Sequence, residues 1–257
     1  MGDGGYNWSV KHFSRCGEWL KLIRVYISPS IQEKNIGVNG YGSEEQQMQK
    51  IGDVVVQYLK AFPFLEVYRN NPDWTLAQVV EHSNNVKADY HIAIHSNAGP
   101  PSAAGTEVFY RAGDEKSKQL ATFLYNEVAP LSPGKDRGIK ADTVLYSSGL
   151  YELRHIKATG ALIEVGFHTN KEEALWIMRE TELIGNAIAR GFIKMINPDA
   201  LAKKENTWNA PEWKLQGMLW MYQNGYILEK HDPQEVVDFG ILGTILQRVV
   251  NTGKGVK

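Results

Sequence analysis

Three short stretches carry side chains whose type and setting suit chemistry. In GALIEVGFHTN, residues 160–170, Glu164 interrupts an otherwise apolar run. An ionised carboxylate buried there without a partner would cost several kcal/mol. It must therefore be protonated, paired, or placed beside a metal-bound water. A raised pKa is what a general acid or base needs near neutral pH. In DYHIAIHSNA, residues 89–98, strand alternation puts His91, Ala93 and His95 on one face, with His95 at the strand's end before a polar loop. Sites in open α/β sheets gather at the carboxyl ends of strands. His91 lies deeper, where a structural role is expected. In GSEEQQMQKIG, residues 42–52, Ser43 and Gln46 form a capping box, so a helix is expected from Glu44. At 100° per residue Glu44 shares a face with Met48, Ile51, Val55 and Phe62, while Glu45 is turned one step away. Each residue also has a plain structural account: a first-turn acid favoured by the helix dipole, or a histidine hydrogen-bonded near a strand end. Together, one Glu and one His able to bind a metal, with a second Glu placed to move protons, suggest a mononuclear zinc hydrolase. No HExxH pair is present.

The elements that must position these groups alternate. Strands are expected at residues 20–27, 65–69, 90–96, 106–111 and 161–167, and helices at 44–62, 75–87, 115–128 and 171–196. Such alternation implies an α/β fold around a mostly parallel twisted sheet flanked by helices. The near-continuous apolarity around Glu164 fits a central strand covered on both faces. At 257 residues the chain suits one large domain with a small appendage. The expected boundaries are a lead-in at 1–19, disordered or tag-derived; a catalytic domain at 20–197; a linker at 198–210 marked by Pro198 and a charge cluster; and a small helical module at 211–257. In that last module, Asp232 and Pro233 read as the N-cap and first residue of a second helix.

Composition excludes several classes. A net charge of −1 argues against a broad electrostatic grip on nucleic acid or acidic lipid. One cysteine, Cys16, rules out an internal disulfide framework and a multi-cysteine metal site. No run approaches the roughly 20 apolar residues of a membrane span. Nothing at the N-terminus reads as an export signal, because Arg24 interrupts the short apolar run.

The ordered set IAIHSNA (92–98), GTEVFYR (105–111), RGIK (137–140), LYELR (150–154) and ALIEVGFHTN (161–170) resembles the zinc-dependent N-acetylmuramoyl-L-alanine amidases of the amidase-3 type, over about residues 22–196. The resemblance implies a mixed sheet of about six strands. It also implies hydrolysis of the amide joining N-acetylmuramic acid to the first L-alanine of the peptidoglycan stem. It implies one zinc ion on Glu44 and His95, with Glu164 as general base. The expected partner is bacterial peptidoglycan, and the C-terminal module is a candidate anchor or homodimer contact. A phage lysin would act from host cytoplasm to wall, and an autolysin at the wall or outside the cell.

One position departs from the pattern. In YISPSIQEKN, residues 26–35, Lys34 stands where the resemblance places a ligand histidine. A protonated lysine has no lone pair for zinc. Three accounts fit this departure: a catalytically impaired, wall-binding variant in which Lys34 pairs with Glu44; a replacement ligand such as His155 or His168; or a shifted loop that brings Ser28, Gln32 or Glu33 to the metal.

Overall fold

The computed structural model describes residues 22–135 and 137–201. The expected lead-in, most of the linker and the helical module at 211–257 lie outside the described residues. The chain divides into two compact units, Met1–Ile196 and Asn197–Lys257, and the sheet with its flanking helices belongs to the first.

Six strands form one sheet: β1 Ile23–Pro29, β2 Leu65–Arg69, β3 Tyr90–Asn97, β4 Glu107–Tyr110, β5 Ile139–Ala141 and β6 Thr159–Phe167. Their order is β2-β1-β3-β6-β4-β5, parallel throughout except where β4 runs against β6. The helices are α1 Glu44–Lys60, α2 Leu76–Asn85, α3 Glu115–Val128, α4 Tyr151–His155, α5 Lys171–Arg179 and α6 Thr181–Ile196. This is the α/β architecture expected from the sequence. The continuous helix expected over 171–196 is instead two helices, with Glu180 outside helical dihedrals at φ −107°, ψ 26°. Strand β5 and helix α4 have no counterpart among the expected elements; three and five residues carry too little periodicity to signal one.

The two sheet faces differ in chemistry, and period-2 alternation is the cause. Val25, Ile27, Ile92, Ile94, Val108, Ile163 and Val165 are fully buried on one face, which α1, α3 and α6 cover. The other face carries Tyr26, Ser28, His91, His95, Glu107 and Glu164 among smaller apolar residues. Short helices α2 and α4 lie on this side, where Val80, Ala93, Phe109, Leu153, Ile156 and Leu162 make a second apolar cluster. Burying a leucine- or phenylalanine-sized side chain contributes roughly 1.5–3 kcal/mol, so both layers stabilise the sheet. Only the second leaves polar groups at its rim. Helix α1 sits close to β1 because Gly52 has no side chain: a Cβ there would lie 2.8 Å from Pro29 Cγ. That approach brings the first turn of α1 to the carboxyl end of the sheet.

Helix α4 is too short to hold itself in place. Asp142 fixes it. This fully buried carboxylate accepts from Arg154 Nε at 2.7 Å and Nη2 at 2.5 Å, from the Ala112 amide at 2.9 Å and from the Leu150 amide at 3.2 Å. Gly149, at φ +76°, admits this pairing, since a Cβ would sit 2.4 Å from Asp142 Oδ2. Removing one partner of a buried pair leaves a charge uncompensated, typically at 3–5 kcal/mol. Asp142→Ala is therefore expected to lower unfolding stability by about 3 kcal/mol, near the bottom of that range because Arg154 is partly exposed. Urea denaturation checks this; a loss under about 1 kcal/mol would contradict it.

Candidate active site

The site grows from the carboxyl ends of β1, β3 and β6. Ser43 caps α1 and forms the full capping box with Gln46, so Glu44 falls in the first turn, 1% exposed. Its backbone amide donates to Asn35 O at 2.8 Å. Glu44 Oε1 lies 2.8 Å from His95 Nδ1, and Glu44 Oε2 accepts from Asn35 Nδ2 at 2.7 Å. Burial by itself raises the Glu44 pKa; hydrogen bonds from His95, Asn35 and Ser30 outweigh it and bring it below the ordinary value.

His95 is in register with Glu164 on β6, and Glu164 with Glu107 on β4. Three strands thus line up an imidazole and two carboxylates at one level of the sheet. A register irregularity between His95 and Asn97 lies at this rim. Glu107 is 3% exposed and saturated: Asn97 Nδ2 donates at 2.6 Å, Arg137 Nε at 3.0 Å, and Lys140 Nζ also donates. Glu164 is different. Its Oε2 is shut off from solvent and has no hydrogen-bond partner. Burial pushes its pKa up to about 8; the charges of Glu44 and Glu107 add to this, and His95 opposes it. It is a carboxyl group poised to hold or give up a proton near neutral pH.

Behind His95 lies a further carboxylate. Glu152 of α4, 3% exposed, accepts from Ser28 Oγ at 2.6 Å and pairs with His91 Nε2 at 2.8 Å. Its second oxygen is 3.9 Å from His95 Nε2. Burial raises the Glu152 pKa, but the two imidazoles hold it well below the carboxylate range. Burial likewise lowers the His95 pKa, and the nearby carboxylates of Glu152 and Glu44, the second hydrogen-bonded to it, overcome this and raise it well above the ordinary value.

The structure brings Glu44, His95 and Glu164 together and leaves other candidates elsewhere. Glu45 is partly exposed on the next step of the helix. His91 is fully buried, bonded to Ser83 Oγ at 2.9 Å as well as to Glu152. His155 is exposed, stacked on Tyr151 with centroids 4.0 Å apart. His168 is buried with its Nδ1 2.9 Å from Ser96 Oγ. Lys34 is exposed at the corner of a tight turn closed by Asn35 N to Gln32 O at 3.3 Å. No ion pair joins it to Glu44 among the described residues. The residues flanking that turn face the site instead. The Gln32 amide nitrogen is 3.4 Å from His95 Nδ1, and Asn35 Nδ2 donates at 2.7 Å to both Gln32 Oε1 and Glu44 Oε2.

A carboxylate oxygen and an imidazole nitrogen 2.8 Å apart and facing each other suit two positions of a zinc shell. Beside them lies the Gln32 amide nitrogen, 3.4 Å from His95 Nδ1, which has no lone pair for a metal; the Gln32 carbonyl oxygen is held by Asn35. Among the described residues no group of three or more His, Cys, Asp or Glu side chains is arranged to hold a metal. Glu107, Glu152, Arg137 and Lys140 also reach this face or its rim and have no role among the sequence expectations, although GTEVFYR, LYELR and RGIK contain them. A carboxylate inside an apolar strand was a readable signal at Glu107, as it was at Glu164.

A profile of the N-acetylmuramoyl-L-alanine amidase family matches residues 25–194. An uncharacterized protein of Bacillus subtilis, YqiI, is 28% identical over 166 residues, 63% of this chain and 78% of that protein. The germination-specific N-acetylmuramoyl-L-alanine amidase of the same organism is 28% identical over 122 residues, 46% of this chain, which spans about half (49%) of that amidase. Among solved structures, the catalytic domain of CwlV, an N-acetylmuramoyl-L-alanine amidase from Bacillus (Paenibacillus) polymyxa var. colistinus, is similar at 26% identity and a TM-score of 0.60. The match covers 68% of this chain and 99% of that domain.

Proposed function

The chain belongs to the N-acetylmuramoyl-L-alanine amidase family, and from that premise we propose that it hydrolyses the amide between N-acetylmuramic acid and L-alanine in bacterial peptidoglycan, with Glu164 moving the proton. The observation that carries this reading is the Glu164 carboxyl, its Oε2 buried without a partner, in register with His95, itself paired to Glu44.

Zinc would be held by Glu44 and His95, with the Gln32 amide beside them. When bound it supplies Lewis-acid polarisation of a water and of the scissile carbonyl. The protein's own groups do the rest. Glu44, kept ionised by Asn35, Ser30 and His95, offers a charged oxygen. Glu164 starts protonated in the ion-free protein, because burial and two neighbouring carboxylates disfavour its charge. Once ionised, Glu164 can accept a proton from the attacking water. As the water oxygen bonds to the lactyl carbonyl carbon and the C–N bond breaks, Glu164 returns that proton to the departing alanine nitrogen. Arg137 and Lys140, tethered by Glu107, keep positive charge at the rim.

Incubation with purified peptidoglycan is expected to release new alanine N-termini without new reducing sugar ends, and a chelator is expected to abolish the release. Reducing ends, or peptide termini other than alanine, would overturn the reading. The competing account is an impaired, wall-binding module. It rests on the two-donor metal corner, and wall pull-down without amine release at saturating zinc would establish it instead. No helix among the described residues is long and apolar enough to cross a membrane, and the site of action we propose is the cell wall. Zinc as cofactor and a homodimer through residues 211–257 belong to this proposal, the second testable by sedimentation.

A further inference from the structure

We propose that the hollow between the loop after β2 and helix α2 is a glycan subsite, which takes one neutral sugar ring of the peptidoglycan strand against the indole of Trp74. The inference rests on the reading of peptidoglycan as substrate and uses none of the reacting groups.

Trp74, Gln78, Glu81, His82 and Asn85 line a hollow of about 240 Å³. Drug-sized ligands occupy roughly 300–1,000 Å³, so this space suits a single ring. Positions 78, 81, 82 and 85 share one face of α2 by helical spacing, and Trp74 precedes the Thr75 N-cap. The walls are set before any ligand arrives. The Trp74 amide closes a turn on Asn71 O at 3.2 Å. Thr75 and Gln78 form a full capping box. His82 Nδ1 lies 3.1 Å from the Tyr26 hydroxyl oxygen, and the His82 ring meets Trp74 edge-on, 4.7 Å between centroids at 65°. Trp74 is thus a half-buried indole braced from one side.

The polar groups around it match hydroxyls. Gln78 Oε1 is committed to the amide and hydroxyl of Thr75, at 2.9 and 3.0 Å, which leaves its NH2 as a donor. Glu81 offers acceptors, and Asn85 offers both kinds. Neither of these two exposed side chains has a hydrogen bond or ion pair among the described residues. A sugar hydroxyl donates and accepts, and the C–H face of a pyranose suits the negative face of an indole. An ammonium group has donors only and would leave the Gln78 and Asn85 amide protons unmatched. A phosphate group would meet the Glu81 carboxylate with no lysine or arginine in the lining.

The hollow also lies within reach of the reacting centre along the sheet. The loop that carries Trp74 follows the carboxyl end of β2, the rim from which the site grows. Strand β2 is two places from β3, roughly 10 Å at the usual strand spacing. Tyr26 joins the two regions, with its hydroxyl at His82 and its ring stacked on His91, 5.1 Å between centroids at 12°. A sugar seated on Trp74 holds the strand while a neighbouring lactyl amide meets Glu164.

The test is titration of the full chain with the N-acetylglucosamine tetramer, a neutral glycan without stem peptide. Calorimetry reads affinity, and the indole 15N–1H signal of Trp74, assigned by its loss in Trp74→Ala, reads location. The wild type is expected to bind with that signal shifted. Trp74→Ala is expected to weaken binding about 10-fold, the worth of one stacked ring. The double variant Glu81→Ala with Asn85→Ala, which changes only exposed side chains, is expected to weaken it by a similar factor and to melt as the wild type does. A wild type that ignores the tetramer, an unmoved Trp74 signal, or full affinity in the double variant would each overturn the inference; alanine N-termini still released from peptidoglycan would then leave the amidase reading intact. A lysine-bearing stem peptide that shifts the Trp74 signal where the tetramer does not would overturn it in favour of a cation site. Tetramer binding at Trp74 without amine release would remove the amidase reading and keep the glycan site.

Discussion

Replacing Glu164 with glutamine is expected to lower peptidoglycan hydrolysis by about 10²–10⁴-fold, the usual contribution of a positioned acid or base, while making the metal-free protein more stable at neutral pH. The second half follows from linkage. Folding raises the Glu164 pKa from an ordinary value near 4.5 to about 8. Between those values the folded protein keeps a proton that the unfolded chain has lost. The folded state then binds more protons, so stability falls as pH rises through this window and levels off above it. Below about pH 4.5 both states are protonated and the penalty vanishes. Each unit is worth about 1.4 kcal/mol. The whole shift bounds the penalty at roughly 5 kcal/mol, and residual solvent access near the rim brings the expected figure to about 2–3 kcal/mol. Glutamine cannot ionise, so its variant should lose this slope. Urea unfolding in chelator at pH 5, 6.5 and 8 reads it directly. Identical slopes for the two proteins would show that Glu164 is not held protonated by the fold. Full turnover by the variant would remove it from the reaction.

That one residue could be singled out in the sequence, and Glu152 could not, has a physical reason. Glu164 announces itself locally: a carboxylate inside an apolar strand has no cheap explanation. Period-2 alternation likewise set His95 on the same face as His91, and the Ser43 and Gln46 pair marked where α1 begins. Glu152 has no local signature. It sits in a five-residue helix, and its partners Ser28 and His91 are 124 and 61 positions away. Only the closing of β1 against β3, and of α4 onto the same face, brings them together. Strand β5, which carries Lys140, is illegible for a related reason: three residues stabilised by pairing with β4 need no propensity of their own. The split between α5 and α6 lacks a Gly or Pro to mark it, so helical periodicity reads straight through Glu180.

The same limit governs the loop that opens the site, where order along the chain and order in space disagree. Changing Gln32 to histidine is expected to tighten zinc binding by about 10²-fold or more, and changing Lys34 to histidine by less than about threefold. Structural zinc sites bind with roughly 10–16 kcal/mol spread over four ligands, so one added imidazole contributes about 2.5–4 kcal/mol, or some 10²–10³-fold. That gain requires the ring to reach the corner already defined by Glu44 Oε1 and His95 Nδ1. Gln32 reaches it, with its amide 3.4 Å from His95 Nδ1 and its carbonyl tied to Asn35. Lys34 sits two residues further on, at the exposed corner of the turn that Gln32 and Asn35 close. A histidine there would have to unmake the Asn35 bridge to Glu44 before it could approach the ion, and that bridge is a hydrogen bond to a charged group, worth about 1.5–3 kcal/mol. Both variants can be titrated against a chromophoric chelator beside the wild type. If Lys34→His binds the more tightly, the turn must rearrange around the metal, and the lysine marks a lost ligand after all. If Gln32→His gains as expected and amine release from peptidoglycan rises with it, the shortfall at this site is one donor at position 32.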